Sequence, residues 1–369
     1  MNGRNAFVLF IAPVVGLSKS AIDVSSIHPY ANRVNRSGRV TAMGRRFAFA
    51  LSIASAITMQ LPTRSAAAQE LAPLAFVQME GFPYSTVSNA APNTQTRLDV
   101  LRLKARWPLA VGGKRTVLLP GFSYERLHFA TRIPSESVSA ESNGRQRDLV
   151  LASPMAELTV VRKLNPNWTA IGMLASGLAS DFEGRVSNGD WAVVAHALAM
   201  YRASSKLTLG SGFGYDKRTG DLTLIPLGTM LWVPNSRWAV DALLPKAAQV
   251  SYRTSNWLMT GFGAELDYNR FHVDEGRYGV DNLYLRYMTI KLGPSLTVSP
   301  AKFLHVDVYG GYAFSRKLSA FVDESPFGVD VYVNSPDPAR SITLAPSAYA
   351  GVRLWLGLDC WDYERLRDR

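Results

Sequence analysis

Phe303-Leu304-His305-Val306-Asp307-Val308-Tyr309-Gly310-Gly311-Tyr312-Ala313-Phe314-Ser315 is the stretch on which the fold turns. Leu304, Val306, Val308, Tyr312 and Phe314 fall on one face. His305, Asp307, Tyr309, Gly311 and Ser315 fall on the other. A period of two is the signature of a strand with two unlike surfaces. The same alternation recurs outward from here. In 257–270, Leu258, Phe262, Ala264, Leu266 and Tyr268 oppose Gly261, Gly263, Glu265, Asp267 and Asn269. In 98–107, Leu101, Leu103, Ala105 and Trp107 oppose Arg102, Lys104 and Arg106. In 206–215, Leu207, Leu209, Phe213 and Tyr215 oppose Thr208, Gly210, Gly212 and Gly214.

A soluble β-sandwich would alternate too. Three features favour a membrane barrel. The polar face carries Gly, Asp, Glu and Arg, as a wet lumen requires, while the other face stays apolar for about ten residues at a time. Aromatic residues (Trp107, Trp168, Trp191, Trp232, Trp238, Trp257, Tyr268, Tyr215) sit near segment ends, where an interfacial girdle belongs. The connections also alternate in length. Short turns fall at 108–114, 164–167, 204–205, 234–236, 255–256 and 299–302. Longer polar loops fall at 85–95, 128–146, 182–190, 216–221, 271–280 and 316–340. Outer-membrane barrels have short periplasmic turns and long outer loops.

The expected fold is therefore all-β: a transmembrane antiparallel up-and-down barrel of about fourteen strands. Their expected spans are 73–84, 96–107, 115–127, 147–163, 168–181, 191–203, 206–215, 222–233, 237–244, 247–254, 257–270, 281–298, 303–315 and 341–356. The pair around Pro245 is short, which makes twelve the alternative count. Hydrocarbon tolerates neither open edges nor unpaired backbone groups, so 69–356 is read as one closed domain.

Composition agrees. Of 369 residues, 47% are hydrophobic and 19% charged, which excludes a disordered chain. Gly 28, Tyr 15, Phe 16 and Trp 8 suit a β-rich protein. A single cysteine, Cys360, excludes a disulfide framework and any cysteine-based zinc site. The net charge of +11 is concentrated at the front. Residues 1–68 hold eight Lys/Arg and one acid, leaving about +4 for the rest, which removes the basic argument for nucleic acid.

That front reads as a leader. From Met43, Arg45-Arg46 precedes the thirteen-residue apolar run Phe47–Met59, followed by Ser65-Ala66-Ala67-Ala68. This is the three-part order of a cleavable signal peptide, with cleavage expected after Ala68. Residues 43–68 are assigned to that signal and 1–42 to an over-extended start. The expected export is the general secretory route, to the outer membrane of a Gram-negative cell. At the other end, Tyr349-Ala350-Gly351-Val352-Arg353-Leu354-Trp355-Leu356 resembles the final-strand signal read by the outer-membrane assembly machinery. A polar tail, 357–369, follows it.

Nine charged or titratable residues are expected on the lumen wall: Arg102, Lys104, Arg106, Glu265, Asp267, Lys291, His305, Asp307 and Arg353. They would form either a mixed-charge constriction or paired charges filling a closed interior. The Arg102/Lys104/Arg106 row, three cations at spacing two, is the best candidate for anion selectivity. His305 and Asp307 lack a third ligand of matching type, so no metal is expected. Outer-membrane phospholipases carry His-x-Ser-Asn-Gly, and here Arg185-Val186-Ser187-Asn188-Gly189 puts Arg in place of that His. A serine nucleophile without a base does not act, so no enzyme is expected and 188–189 reads as a turn. Gly210-Ser211-Gly212-Phe213-Gly214 precedes no helix pattern, which excludes a dinucleotide loop. No cofactor is expected.

Between 222 and 323 the chain resembles an uncharacterised bacterial outer-membrane barrel family, domain of unknown function 6268. Ile225-Pro226-Leu227-Gly228, Leu231-Trp232, Trp238 to Leu244-Pro245, Val250-Ser251-Tyr252 and Gly310-Gly311-Tyr312 carry the resemblance. It implies a signal peptide and an outer-membrane barrel, with no substrate and no catalytic residues. The leading expectation is a porin-like channel passing small polar solutes. The alternative is a non-conducting structural or loop-binding barrel, and the third a lipid hydrolase. The expected partners are outer-membrane lipid and the assembly machinery.

Overall fold

Apolar side chains cover the outside of this sheet and charges its inside, and closure follows. The computed structural model describes residues 74–88, 93–111, 115–132, 147–217, 222–273, 283–301, 303–322, 329–331 and 340–357. The expected leader and most of the expected tail lie outside the described residues.

In chain order the strands are β1 (Ala75–Thr86), β2 (Gln95–Arg106), β3 (Leu109–Val111), β4 (Thr116–Arg132), β5 (Arg147–Lys163) and β6 (Trp168–Leu178). Then come β7 (Trp191–Arg202), β8 (Leu207–Lys217), β9 (Leu222–Trp232), β10 (Trp238–Leu244), β11 (Ala247–Arg253) and β12 (Leu258–Val273). Last are β13 (Leu283–Ala301), β14 (Leu304–Val322), β15 (Val329–Val331), β16 (Arg340–Leu344) and β17 (Ser347–Leu356). Strand β3 pairs with β4 beyond the Trp107-Pro108 break, and β16 precedes β17 across Ala345-Pro346. Each is thus a continuation of its neighbour, as a proline without an N–H demands. Fourteen wall strands result, each antiparallel to the next, and β1 pairs with β17 to close the ring.

The outward face is what hydrocarbon requires. Leu158, Leu174, Phe213, Phe262 and Val308 stand outward and are 42–60% exposed. Trp107, Trp168, Trp232, Trp238 and Trp257 gather at one end, beside the short turns. Those turns are held by their own side chains. Asn165 Oδ1 accepts the N–H groups of Asn167 and Trp168 at 2.9 Å, and Asn235 Oδ1 does the same for Arg237 and Trp238. Asparagine mimics a backbone turn in this way. Trp168 then lies against Tyr201 and Trp238 against Tyr252, both at 4.9 Å.

Strand lengths are unequal. β6 to β9 have 11 or 12 residues, and β10 and β11 only 7. β4, β5, β12, β13 and β14 have 16 to 19. Of these, β4, β12 and β14 outrun the expected spans at their outer ends, and in this region the outward residues turn polar: Arg126, Arg270, Arg286 and Lys317. A crossing strand needs about 9–11 residues, so the excess projects beyond the apolar band. There Ala179–Asp181 bridges two strands that are not wall neighbours. Ser180 exchanges both backbone hydrogen bonds with Ala152 of β5, at 2.8 and 3.0 Å, and Ala179 O accepts the His272 N–H of β12 at 3.0 Å. The projecting part therefore closes as a smaller ring of eight strands plus this segment. Strand β15, within the long loop after β14, pairs in parallel with the part of β9 that the short β10 leaves free.

One departure from simple alternation changes the inside. Ile290 pairs with Ser315 but Lys291 with Ala313, so Phe314 is an extra residue in β14. This bulge shifts the parity. Ser315, expected on the lumen face, shares the outward side of Ile290, and Arg316 enters the interior instead.

Candidate functional site

The interior is stratified. In the projecting ring, Phe82, Leu98, Leu127, Phe129, Leu151 and Phe271 meet at 0–2% exposure in one apolar cluster. Eight strands enclose an interior just wide enough for side chains to fill. At the opposite end Val117, Leu119, Val161 and Ile171 form a second apolar cluster, joined by Leu198 and Met200.

Between the two lies a charged layer that crosses the lumen. Arg102 on β2 donates to Glu125 of β4 at 2.6 Å and pairs with Asp267 of β12 at 2.9 Å. Glu265 stands 3.9 Å from the same guanidinium. Lys291 on β13 reaches Glu80 on β1 at 2.9 Å, Asp267 at 2.8 Å and Glu265 at 3.0 Å. Asn269 closes the circuit by donating to Glu125 at 3.2 Å. Lower down, Lys104 and Arg106 share Glu157 of β5, at 3.0 and 3.3 Å. Four cations thus meet five carboxylates. The Arg102/Lys104/Arg106 row does stand on one inward face, but its charge is spent on carboxylates from other strands. Glu80, Glu125 and Glu157 escaped the sequence reading because none belongs to a charged row: no charged residue stands two positions to either side. Strand register sets Glu125 opposite Arg102 and Glu157 in line with Arg106, while Glu80 meets Lys291 across the closed ring.

His305, Asp307 and Arg353 are inward but form a separate group. His305 stacks on Trp355 with ring centres 3.8 Å apart. Its Nε2 lies 3.2 Å from the Gly357 carbonyl oxygen, an acceptor, so Nδ1 accepts from the Ser299 hydroxyl at 2.7 Å. Asp307 accepts from Arg353 Nε at 2.7 Å and Trp355 Nε1 at 3.0 Å. This knot fastens the end of β17 to β14. Arg316 is wholly buried, donates to the Ser85 and Ser347 hydroxyls at 2.9 Å, and lies over the Phe82 ring. A bulge cannot be read from alternation, so nothing in the sequence marked Arg316.

A further cluster forms at the outer end. Ser187 starts a 3-10 turn, Asn188–Asp190, as a capping box. Its Oγ accepts the Gly189 N–H at 3.2 Å, and Asp190 accepts the Ser187 N–H at 2.6 Å. Asp190 Oδ1 also lies 2.8 Å from His272 Nδ1, and both side chains are buried. So 188–189 is the turn the sequence predicts, but its Asp190 finds a histidine 82 positions away. The pair lines a cavity of about 300 Å³ with Phe182, Arg185, Val186 and Ser187.

The description "domain of unknown function (DUF6268)" matches residues 149–354. The chain belongs to this family. The match begins well before the expected 222 and ends well past 323, taking in β5 through most of β17. None of the curated proteins matches. Among solved structures, the ferric-catecholate import receptor Fiu from E. coli K12 is similar at 9% identity and a TM-score of 0.27, over 76% of this chain. The chain spans about half of that receptor's length, 48%. The toluene transporter TodX of Pseudomonas putida is similar at 9% identity and 0.32, over 76% of this chain and 88% of its own. A bacterial polysaccharide outer-membrane secretin is similar at 9% and 0.29, over 78% and 100%.

Proposed function

We propose that this member of the DUF6268 family is an outer-membrane barrel with a closed interior, a structural or loop-binding element of the envelope rather than an open pore. Its apolar belt and tryptophan girdle suit a bilayer, and β17 carries the final-strand pattern that assembly machinery reads. Export by the general secretory route follows from the 43–68 leader.

The observation that carries the closed reading is the cross-lumen layer. Lys291 and Glu80 are 1% and 0% exposed at the middle of the barrel, where a water-filled channel would wet them. Apolar clusters stand above and below. Single-channel recording of the purified protein in a planar bilayer tests this. No steady conductance is expected while heat-modifiable migration shows a folded barrel. Steady, salt-dependent steps would sink the closed reading.

Such steps would favour the second reading, a porin-like passage for small polar solutes. One observation supports it. Asp241 on β10 faces inward and is exposed, and Glu265 on β12 is 35% exposed. A narrow wet strip on the β10–β12 side would give solutes a route past the charged layer.

A further inference from the structure

The outer cavity lies beside the segment that completes the projecting ring, and it is a built site. Asp190 is fixed by the Ser187 N–H at 2.6 Å and faces His272 Nδ1 at 2.8 Å. A carboxylate on Nδ1 holds the ring proton there and leaves the Nε2 lone pair as an acceptor. That Nε2 is buried and has no hydrogen-bond partner among the described residues. Gly189 stands against it: a Cβ at 189 would lie 2.9 Å from Nε2. It would also lie 3.0 Å from Cδ2 and 3.1 Å from Cε1, so the glycine turn covers the face of the imidazole and not the in-plane Nε2 lone pair that a ligand hydroxyl reaches.

The rim points to the same class of ligand. Phe182 is held at φ 54°, a costly conformation for a bulky residue, with its ring 43% exposed at the cavity. Strain of this kind collects at ligand clamps. Arg185 supplies donors and Asp181 is a carboxylate acceptor, so the lining offers both kinds of partner. Carboxylates in the wall disfavour an anion. The volume is at the small end of ligand pockets, which begin at about 300 Å³.

We infer that this cavity binds a sugar ring, neutral and rich in hydroxyls, with one hydroxyl donating to His272 Nε2 and its apolar face on Phe182. The ring is either a free saccharide or the glycan of an outer-leaflet glycolipid. The inference does not depend on whether the barrel conducts.

Saturation-transfer NMR on the folded, full-length protein decides it. The probes are methyl glucoside, methyl galactoside, N-acetylglucosamine and delipidated lipopolysaccharide core oligosaccharide. Saturable transfer to at least one is expected. Gly189→Ala should abolish it, since the added methyl crowds the imidazole face and displaces the ring. Phe182→Ala, an exposed change that leaves the wall intact, should weaken binding about tenfold. Transfer to the oligosaccharide alone would identify a glycolipid glycan as the source, and transfer to a monosaccharide a free sugar. No transfer to any probe would overturn the inference. So would transfer that both variants leave unchanged.

Discussion

Lys291 Nζ lies 2.9 Å from both carboxylate oxygens of Glu80, 211 positions away in the chain. Neither strand is the other's wall neighbour, so this contact exists only once β17 has closed against β1. Asp267 lies 2.8 Å from the same ammonium. Removing one partner of a buried pair strands the other, at a cost of about 3–5 kcal/mol. Lys291→Met should therefore lower barrel stability by about that much, read from urea unfolding followed by heat-modifiable migration. Glu80→Gln combined with Lys291→Met should recover part of the loss. A double variant as unstable as the sum of the two single changes would show that the pair is not energetically coupled.

The tryptophans give a prediction about depth. Trp107, Trp168, Trp232, Trp238 and Trp257 share the short-turn end, and Trp191 stands at the start of β7 near the opposite end. Tryptophan prefers the interface, where its ring is apolar and its N–H wet. Variants retaining only Trp168 or only Trp191 should both be quenched best by lipids brominated near the headgroup. An aqueous quencher confined to one side of sealed vesicles should reach only one of the two. Equal access to both from that side would contradict the assigned topology.

How much of this was legible in the sequence depended on what kind of signal each feature leaves. Alternation is local, so strands such as Arg147–Lys163 were read to the residue. The outer ends of β4, β12 and β14 were read short, because beyond the apolar band the outward face turns polar and the pattern fades. The lumen face of Arg102, Lys104 and Arg106 was legible. Its partners were not, since Glu157 meets it through strand register and Asp267 from across the lumen, and spacing along the chain encodes neither. Asp190 and His272 were hidden for the same reason. They stand 82 positions apart in different segments, joined only when Ala179–Asp181 bridges β5 and β12.

Close backbone contact at the β13–β14 bulge yields a third prediction. A Cβ on Gly293 would collide with the Gly310 carbonyl, and one on Gly311 with the Leu292 carbonyl. Neither obstacle is a flexible side chain that could swing away. Gly293→Val should therefore prevent the pairing on which Lys291 and Arg316 depend for their inward placement. The expected readout is loss of heat-modifiable migration. Gly228→Ala is the control, since no described residue stands within 4 Å of a Cβ there. A Gly293→Val barrel that folds as well as the control would show that the two backbones can separate at little cost.

The short β10–β11 hairpin carries a fourth prediction. Seven residues extend roughly 24 Å along the strand. With a tilt of about 40° they rise roughly 18 Å, short of an apolar band of about 25 Å. Bilayer thickness should therefore matter. In a short-chain phosphatidylcholine the barrel should be more stable than in a long-chain one, by fractions of a kcal/mol per Å of mismatch. Lengthening both strands by two residues of the alternating pattern should flatten that dependence. Stability independent of chain length in the original protein would mean that β15 completes the wall above this hairpin.

Acid should release the outer bridge. Burial pushes the Asp190 carboxyl up, but the Ser187 N–H, the Ser180 hydroxyl and the His272 imidazole outweigh it and hold it below its ordinary value of 3.8. A carboxyl depressed on folding lends stability above its unfolded value, and that stability is lost as pH falls through the folded one. The 179–190 segment should thus stay closed at neutral pH and loosen only below about pH 4. Pepsin, active in that range and able to cut beside the exposed Phe182, reports the opening. Cleavage in this segment should accelerate between about pH 4 and pH 2, relative to an unstructured peptide of the same sequence. Asp190→Asn should remove the acceleration, because the substituted group does not titrate. Wild-type cleavage that merely tracked the peptide would show that Asp190 does not hold the segment closed.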